Sequence, residues 1–572
     1  MATARGLDAA SKEGRLASRG LAMRGGTLGG HHATPPARAG IAERAGRLAR
    51  RITLLDGWRR SLAAVAAGAL VGLAQAPFDF PFALLIAFPV LVWLLDGTVP
   101  PEGFRFLRRL LAPAWVGWCF GFGMYSAGFW WIGNAILVSA KDLSFLAPLA
   151  GPALAAGLAL FVGAATAIAR QFWTNGVSRV LVLGAAWGLM EYARAHVLTG
   201  FPWNAIGYAA MPVPLLMQSV AALGLDAINV LTVWVAAAPA LLVDRRTRVW
   251  GIVLPVLLLG AHAGFGWWRL DGASVADSGT RVRVVQPAVP QDEKWNGEQR
   301  LEIFRSLVEL STAREGEGEP GRPADVVVWP ETSIPFVLSE TPEALAVLDD
   351  TLQPGQTLLA GGVRAEGLGE DRLWFNSLYA VDEEGRIAAS RDKVHLVPFG
   401  EYVPRPDLLE RFGLTRIVEA PGDFTPAQRR ETLPVPGGPV FLPLICYEVI
   451  FPHGLGAVGE KATAILNITN DAWFGATPGP RQHMRQARLR AVETGLPLVR
   501  AANDGVSAVV DPYGRVVGGL AHGVRGAFEV ELPGPIATPF TSIRAIAWLW
   551  LLIGFAFAIV PFEAWWERRI KT

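Results

Sequence analysis

Between Ser61 and Leu270, apolar runs of roughly 16–29 residues follow one another with only short polar breaks, and this repetition limits the possible fold more than any other feature. A helix crossing a bilayer needs about 20 apolar residues, because its hydrocarbon core is about 30 Å thick and a helix rises about 1.5 Å per residue. The runs cover 61–76, 80–95, 112–138, 145–169, 180–197, 214–243 and 249–268, with one more, 543–561, near the C-terminus. Residues 112–140 hold no charged side chain at all. Eight membrane helices are predicted, although the first two runs are short and the Pro77-Phe78-Asp79 break between them also fits a re-entrant turn.

The breaks differ in charge. Residues 1–60 contain twelve Lys/Arg against four acids and read as a flexible basic tail. The second-to-third break holds Arg105, Arg108 and Arg109, the fourth-to-fifth Arg170 and Arg179, and the sixth-to-seventh Arg245, Arg246 and Arg248. The chain ends in "ERRIKT", whereas the alternate breaks offer only Lys141 with Asp142, or nothing. With eight helices every basic break falls on one side, which by the positive-inside rule is the cytoplasm. Segment 271–542 then lies on the outer face. A cleavable leader is not expected, because the first long apolar run begins only near residue 61.

The outer segment reads as a soluble domain, a division hidden by the chain's average of 51% hydrophobic residues. "RVRVVQPAVP", "ADVVVWPE", "QTLLAGGVRA", "WFNSLYAVD", "PVFLPLICYE", "ATAILNITND", "PLVRAANDG" and "VSAVVDPYGRVV" are short β-type runs closed by turn residues. Residues 298–314, 341–352 and 481–495 have helical character, and "TAREGEGEPGRPA" reads as a surface loop. Such alternation predicts an α/β domain. The expected division is 1–60 tail, 61–270 helices one to seven, 271–542 outer domain, and 543–572 the last helix with a cytoplasmic end.

Three strand ends carry reactive side chains. "VVVWPETSIPF" places Glu331 just beyond a buried strand, "RDKVHLVPFGEYVP" supplies Lys393 and Glu401, and "FLPLICYE" supplies Cys446, Tyr447 and Glu448. Singly, each has an ordinary reading as a turn acid, a surface cation or a packed thiol. The chain has only two cysteines, Cys119 and Cys446, and Cys119 falls inside an apolar run, so a disulfide framework is not expected. No His/Cys cluster has metal-ligand spacing, and a net charge of +2 gives no sign of a nucleic-acid partner.

Taken together, W-P-E, K-x-x-x-x-P-F-G-E and C-Y-E, followed by "NITNDAWFG" and "RAANDG", resemble the nitrilase superfamily. With the flanking helices and "QPAVPQDEKW" at the domain's start, the chain from about residue 61 onward resembles the bacterial apolipoprotein N-acyltransferase family. The resemblance implies a four-layer αββα sandwich joined to the helical bundle. It implies Glu331 as general base, Lys393 as the charge beside the oxyanion, and Cys446 as nucleophile, since the thiolate rather than the thiol attacks. Glu401 would support the lysine, Tyr447 and Glu448 would flank the nucleophile, Trp295 would match a family tryptophan after the first strand, and Trp473 and Phe474 would form an apolar lip for acyl chains. Asn376 and Asn503 read as structural. Glu191 and Arg194, three apart on one helix face, are either functional or a simple ion pair. "GFPWNAIGY", just after them, is a candidate cap on the membrane side of the cleft.

The implied reaction is ping-pong. Cys446 takes the sn-1 acyl group of a phospholipid, expected to be phosphatidylethanolamine, and passes it to the α-amine of the diacylglyceryl-cysteine of an apolipoprotein. The enzyme would sit in the inner membrane as a monomer, with its site on the periplasmic side, and need neither metal nor cofactor. One rival is a membrane-tethered nitrilase-type amidase, which would hardly need eight helices. A second is a transporter with an inactive outer domain, against which the three intact reactive residues stand.

Overall fold

The computed structural model describes residues 41–98, 106–139, 141–291, 298–313, 322–405, 407, 422–452, 461–537 and 542–571. The first part is helical: α1 (Ile41–Thr53), α2 (Gly57–Val71), α3 (Leu84–Asp96), α4 (Phe106–Phe129), α5 (Gly133–Ser139), α6 (Ala147–Gln171), α7 (Ser178–His196), α8 (Pro214–Met217), α9 (Val220–Ala237) and α10 (Arg248–Leu270). Among the described residues four segments, Ser144–Gln171, Val220–Val243, Arg248–Leu270 and Ala545–Trp565, are long and apolar enough to cross a membrane, and Pro81–Asp96 is apolar but shorter. This is a membrane protein.

Helices occupy all the predicted runs, but two runs are broken. Run 112–138 ends as an α-helix at Phe129, turns through Trp130–Ile132 and resumes as α5. Run 214–243 is interrupted at Gly224 (φ 73°, ψ 165°), a conformation open to glycine because it has no Cβ. The tail also needs correcting. Residues 41–53 form α1, with Ala49 buried and Ile52 and Leu55 packed on the helical core. Its apolar positions 45, 49 and 52 recur at helical spacing, and Glu43 in the first turn with Arg50 and Arg51 in the last suit the helix dipole. Residues 1–40 lie outside the described residues.

The basic helix ends converge. Arg60 Nη2 donates to Gly97 O (3.1 Å), Arg170 Nη2 to Thr98 O (3.2 Å), and Arg179 Nη1 pairs with Asp96 Oδ2 (3.0 Å). At the opposite end the bundle meets the α/β domain: Gln482 Nε2 donates to Ala76 O (3.2 Å), Asn134 Nδ2 to Trp473 O (3.1 Å), and Gln218 Nε2 to Tyr513 O (2.9 Å).

The α/β domain runs β1 (Asp277–Gln286), α11 (Arg300–Thr312), β2 (Val326–Val328), α12 (Pro342–Thr351), β3 (Thr357–Glu366), β4 (Leu373–Val381), β5 (Ile387–Asp392), β6 (Leu433–Pro434), β7 (Val440–Ile445), β8 (Ala464–Thr469), α13 (Gly479–Thr494), β9 (Leu498–Ala502), β10 (Ser507–Val510), β11 (Val516–Leu520) and β12 (Gly526–Pro533), before the long α14 (Ser542–Lys571). Its strands form two six-stranded sheets, ordered β12-β1-β2-β3-β4-β5 and β11-β10-β9-β8-β7-β6. The pleat sorts their residues. Val282, Val284, Val326 and Val328 share one core with the second sheet's Phe441, Ile445, Leu466 and Ile468, while Val285 and Val327 point back onto Phe304, Leu307 and Leu348 of α11 and α12. Helix α13 covers the second sheet and also packs Leu489 and Val492 on Met217, Val220 and Ala221 of the bundle. The result is the expected αββα sandwich, with one outer layer pressed on the membrane half. Predicted strands and helices all appear; β5, β6 and β12 were not anticipated.

Candidate active site

Parallel pairing of β1, β2 and β3, and of β7, β8 and β9, places the carboxyl ends of β2, β7 and β8 together. Ligand sites in parallel sheets form at such ends. Glu331 follows β2 through a turn in which Thr332 has φ 44°. The turn lies so close to β3 that a Cβ on Gly361 would come within 2.3 Å of Pro330 O. Lys393 follows β5, its N–H donating to Asn376 O (2.8 Å).

Glu331, Lys393 and Glu401 form a buried network bridged by Asn376. Lys393 Nζ lies 3.2 Å from Glu331 Oε1 and 3.0 Å from Glu401 Oε1. Asn376 Nδ2 donates to the same two oxygens, at 2.7 Å each. Glu331 Oε2 accepts the Asn470 N–H (3.0 Å), and Glu401 Oε2 the Val397 N–H (2.8 Å). Burial alone would lower the lysine's pKa, but Glu401 and then Glu331 outweigh it and hold the ammonium charged, above its ordinary range. Lys393 is thus held as a cation between the two carboxylates.

Cys446 starts a short 3₁₀ turn at the end of β7, with φ 53°. A non-glycine residue in the left-handed region costs of order 1–3 kcal/mol and persists only where surrounding contacts impose it. Burial pushes the thiol well above its ordinary pKa and the Glu331 carboxylate pushes the same way; Lys393 and a hydrogen bond with Thr469 oppose without prevailing. Burial, with the Glu331 and Asp471 carboxylates pushing the same way, keeps the resting thiol protonated.

Glu448 and Tyr447 anchor the segment around Cys446 to its surroundings. Glu448 is 2% exposed. It accepts hydrogen bonds from Val394 N (2.9 Å), His395 N (3.0 Å), Ile445 N (2.7 Å) and both terminal nitrogens of Arg430 (2.7 and 2.9 Å). It thereby ties the strand that ends in Cys446 to the segment that follows Lys393. Burial would raise its pKa, but Arg430 and the backbone donors bring it below the usual range. Tyr447 Oη donates to Gly200 O (2.8 Å), in the membrane half. Phe474 packs edge-on to Trp131 and Trp203 (ring centroids 4.8 and 5.6 Å), and Trp473 beside it is half-buried. Trp295 lies outside the described residues.

Sequence reasoning missed several polar residues. Asn376, read as structural, is the bridge between the two carboxylates. Asp471, His483 and Arg500 form a fully buried cluster: His483 Nδ1 lies 2.9 Å from Asp471 Oδ1, and Arg500 Nη2 2.6 Å from Asp471 Oδ2. Their only local signal was a set of polar residues in otherwise apolar strands and on the buried face of a helix. A cavity of about 640 Å³ is walled by Leu198 and Thr199 of the bundle and Val394, His395, Tyr402 and Phe451 of the α/β domain.

Residues 67–238 match the model of the apolipoprotein N-acyltransferase N-terminal domain, and residues 281–533 that of carbon-nitrogen hydrolases. An apolipoprotein N-acyltransferase of Brucella melitensis is 52% identical over 494 residues, 86% of this chain and 92% of the relative. One from Agrobacterium fabrum is 46% identical over 522 residues, 91% and 98% of the two chains. Among solved structures, an amidase from Nesterenkonia sp. is 23% identical with a TM-score of 0.30, over 46% of this chain and 94% of that one. By its relatives, its two matching domain models and the residues assembled at its strand ends, the chain belongs to the apolipoprotein N-acyltransferase family.

Proposed function

We propose that the protein carries an acyl group from a membrane phospholipid to the N-terminal amine of a lipid-modified protein, as a thioester on Cys446. Glu331 takes the thiol proton as sulfur attacks the sn-1 ester carbonyl, and Lys393 stabilises the oxyanion electrostatically. As the tetrahedral intermediate collapses, the ester C–O bond breaks and Glu331 returns its proton to the departing glycerol oxygen, leaving a lysophospholipid. The acceptor amine then attacks the thioester and loses a proton to Glu331, and the departing thiolate is reprotonated. Glu401 and Asn376 hold the lysine and the base in register. Phosphatidylethanolamine as donor, a diacylglyceryl-cysteine as acceptor, and Trp295, Trp473 and Phe474 as substrate contacts belong to the same reading.

The observation that carries it is the seat of the nucleophile against the membrane half, with Tyr447, its neighbour, bonded to Gly200 (2.8 Å). A thioester there is screened from water and sits where lipid-borne substrates share one plane. The convergence of Arg60, Arg170 and Arg179 away from the α/β domain supports eight membrane helices, basic ends in the cytoplasm and the catalytic domain in the periplasm. A monomer fits, since one chain supplies the whole network.

The test is partitioning. Acyl-enzyme formed on labelled phosphatidylethanolamine should persist without acceptor and discharge onto a diacylglyceryl-cysteine peptide as an N-acyl amide. If most of the label leaves as free fatty acid with the peptide saturating, the protein is a hydrolase.

A further inference from the structure

Resting on that reading, we propose that the loop 199–204 of the membrane half is the positioning element for the nucleophile, holding residues 446–447 from two sides. The loop is itself clamped. Arg194, 1% exposed, pairs with Glu191 and donates to Phe201 O and, at 3.0 Å, to Trp203 O. From this clamp one arm runs through Gly200 O, which accepts the Tyr447 hydroxyl (2.8 Å). The other runs through Trp203, whose ring stacks on His483 (centroids 5.1 Å, planes 29° apart) and whose Nε1 donates to Gln482 Oε1 (3.0 Å). His483 Nε2 meets Cys446 O at 3.2 Å. Because that partner is a carbonyl, Nε2 must carry a proton, however Nδ1 is protonated beside Asp471 and Arg500.

Fixing the Cys446 carbonyl fixes the planar peptide between 446 and 447, hence the dihedrals of a residue held at φ 53°. The only other side-chain donor described on that oxygen is Asn467 Nδ2, at 3.4 Å. His483 is therefore a positioning residue: it touches the nucleophile's backbone and leaves the reacting sulfur to Glu331 and Lys393. The membrane half then does more than anchor the domain, since the conformation of Cys446 depends on contacts from a loop of the helical half 247 residues away (447 to 200).

The experiment uses the full chain in mild detergent with two probes, labelled phosphatidylethanolamine and iodoacetamide, and adduct mass at Cys446 is followed against pH. His483→Leu and Trp203→Ala should slow both acylation and alkylation by about tenfold or more, with KM for the phospholipid within about twofold, as small misplacements of reacting groups do. His483→Gln, which keeps an N–H donor, and Trp203→Phe, which keeps the stacked ring, should remain within about threefold of the parent for both probes. Trp203 lies in the helical half and His483 in the catalytic half, so a folding failure in one leaves the other test standing. Wild-type acylation rates in His483→Leu or Trp203→Ala overturn the proposal. So does slowed acylation with undisturbed alkylation, which makes the loop a substrate wall only. If the parent protein alkylates at Cys446 but takes no acyl group from the phospholipid, the acyltransferase reading fails while the alkylation comparison still tests the positioning.

Discussion

Replacing Glu448 by glutamine removes one charge and the acceptor capacity of one oxygen from a site holding five donors. If the amide oxygen takes the place of Oε1, the Ile445 N–H and Arg430 Nη1 lose their acceptor; if it replaces Oε2, then Val394, His395 and Arg430 Nη2 do. Each stranded buried donor costs about 1–3 kcal/mol, and breaking a buried ion pair from one side about 3–5 kcal/mol, so the two routes agree on about 3–5 kcal/mol. For a domain of this size that is a fall in apparent melting temperature of about 6–20 °C. Arg430→Met removes the cation but leaves Glu448 its three backbone donors, so it should cost less. The double variant should cost less than the sum of the two, because no buried guanidinium is then left unpaired. Thermal unfolding of the four proteins in one detergent, followed through the α/β domain's tryptophans, gives the cycle. A Glu448→Gln variant melting within about 3 °C of the parent, or strictly additive losses, would refute the idea that this carboxylate ties the nucleophile's strand to the lysine's segment.

Asn376→Asp places a third carboxylate against Glu331 and Glu401 and should slow Cys446 acylation about a hundredfold, as loss of a preorganised donor does, with Asn376→Gln recovering part; single-turnover mass spectrometry would show it, and rates within twofold would count against the bridge. Gly475→Ala should melt lower by about 1–3 kcal/mol, because Gly475 has φ 61° and its Cβ would stand 2.8 Å from Asn134 Nδ2. Acid should weaken the domain in two stages. Burial and then Arg500 lower the pKa of His483, so the unfolded chain takes up a proton the folded one refuses as pH falls through 6.5. Asp471, for which the Arg500 charge outweighs the effect of burial, falls from 3.8 to about 2, and its roughly 2 kcal/mol of stabilisation, present above pH 4, is lost as pH drops through that window. A melting temperature constant from pH 7 to pH 3 would contradict both. Reporter fusions at 247 and 320 should report opposite sides of the membrane, and finding both on one side would remove the eight-helix topology.

Read alone, the sequence determined what is encoded locally. Apolar runs of membrane-crossing length place helices wherever they occur, because a helix satisfies its own backbone and needs no distant partner. Short β-type runs closed by turn residues mark most strands, and Glu331 and Cys446 stand out because each ends such a run, whereas Lys393 follows β5, which no such run marked. What depended on distant partners stayed hidden. Nothing near Asn376 says that it bridges two carboxylates, one of them 45 residues away, and nothing around Glu448 shows that its charge meets Arg430 and not the nucleophile. The same holds for β12, recognisable only as the antiparallel partner of β1. The break at Gly224 and the order in α1 were decided by packing against neighbours, which a single stretch of chain does not contain. "GFPWN" read as a cap on a cleft; only the folded chain sets its carbonyls on Arg194 and its tryptophan on His483, because hydrogen bonds and ring stacking act over a few ångströms of space regardless of the residues between them in sequence.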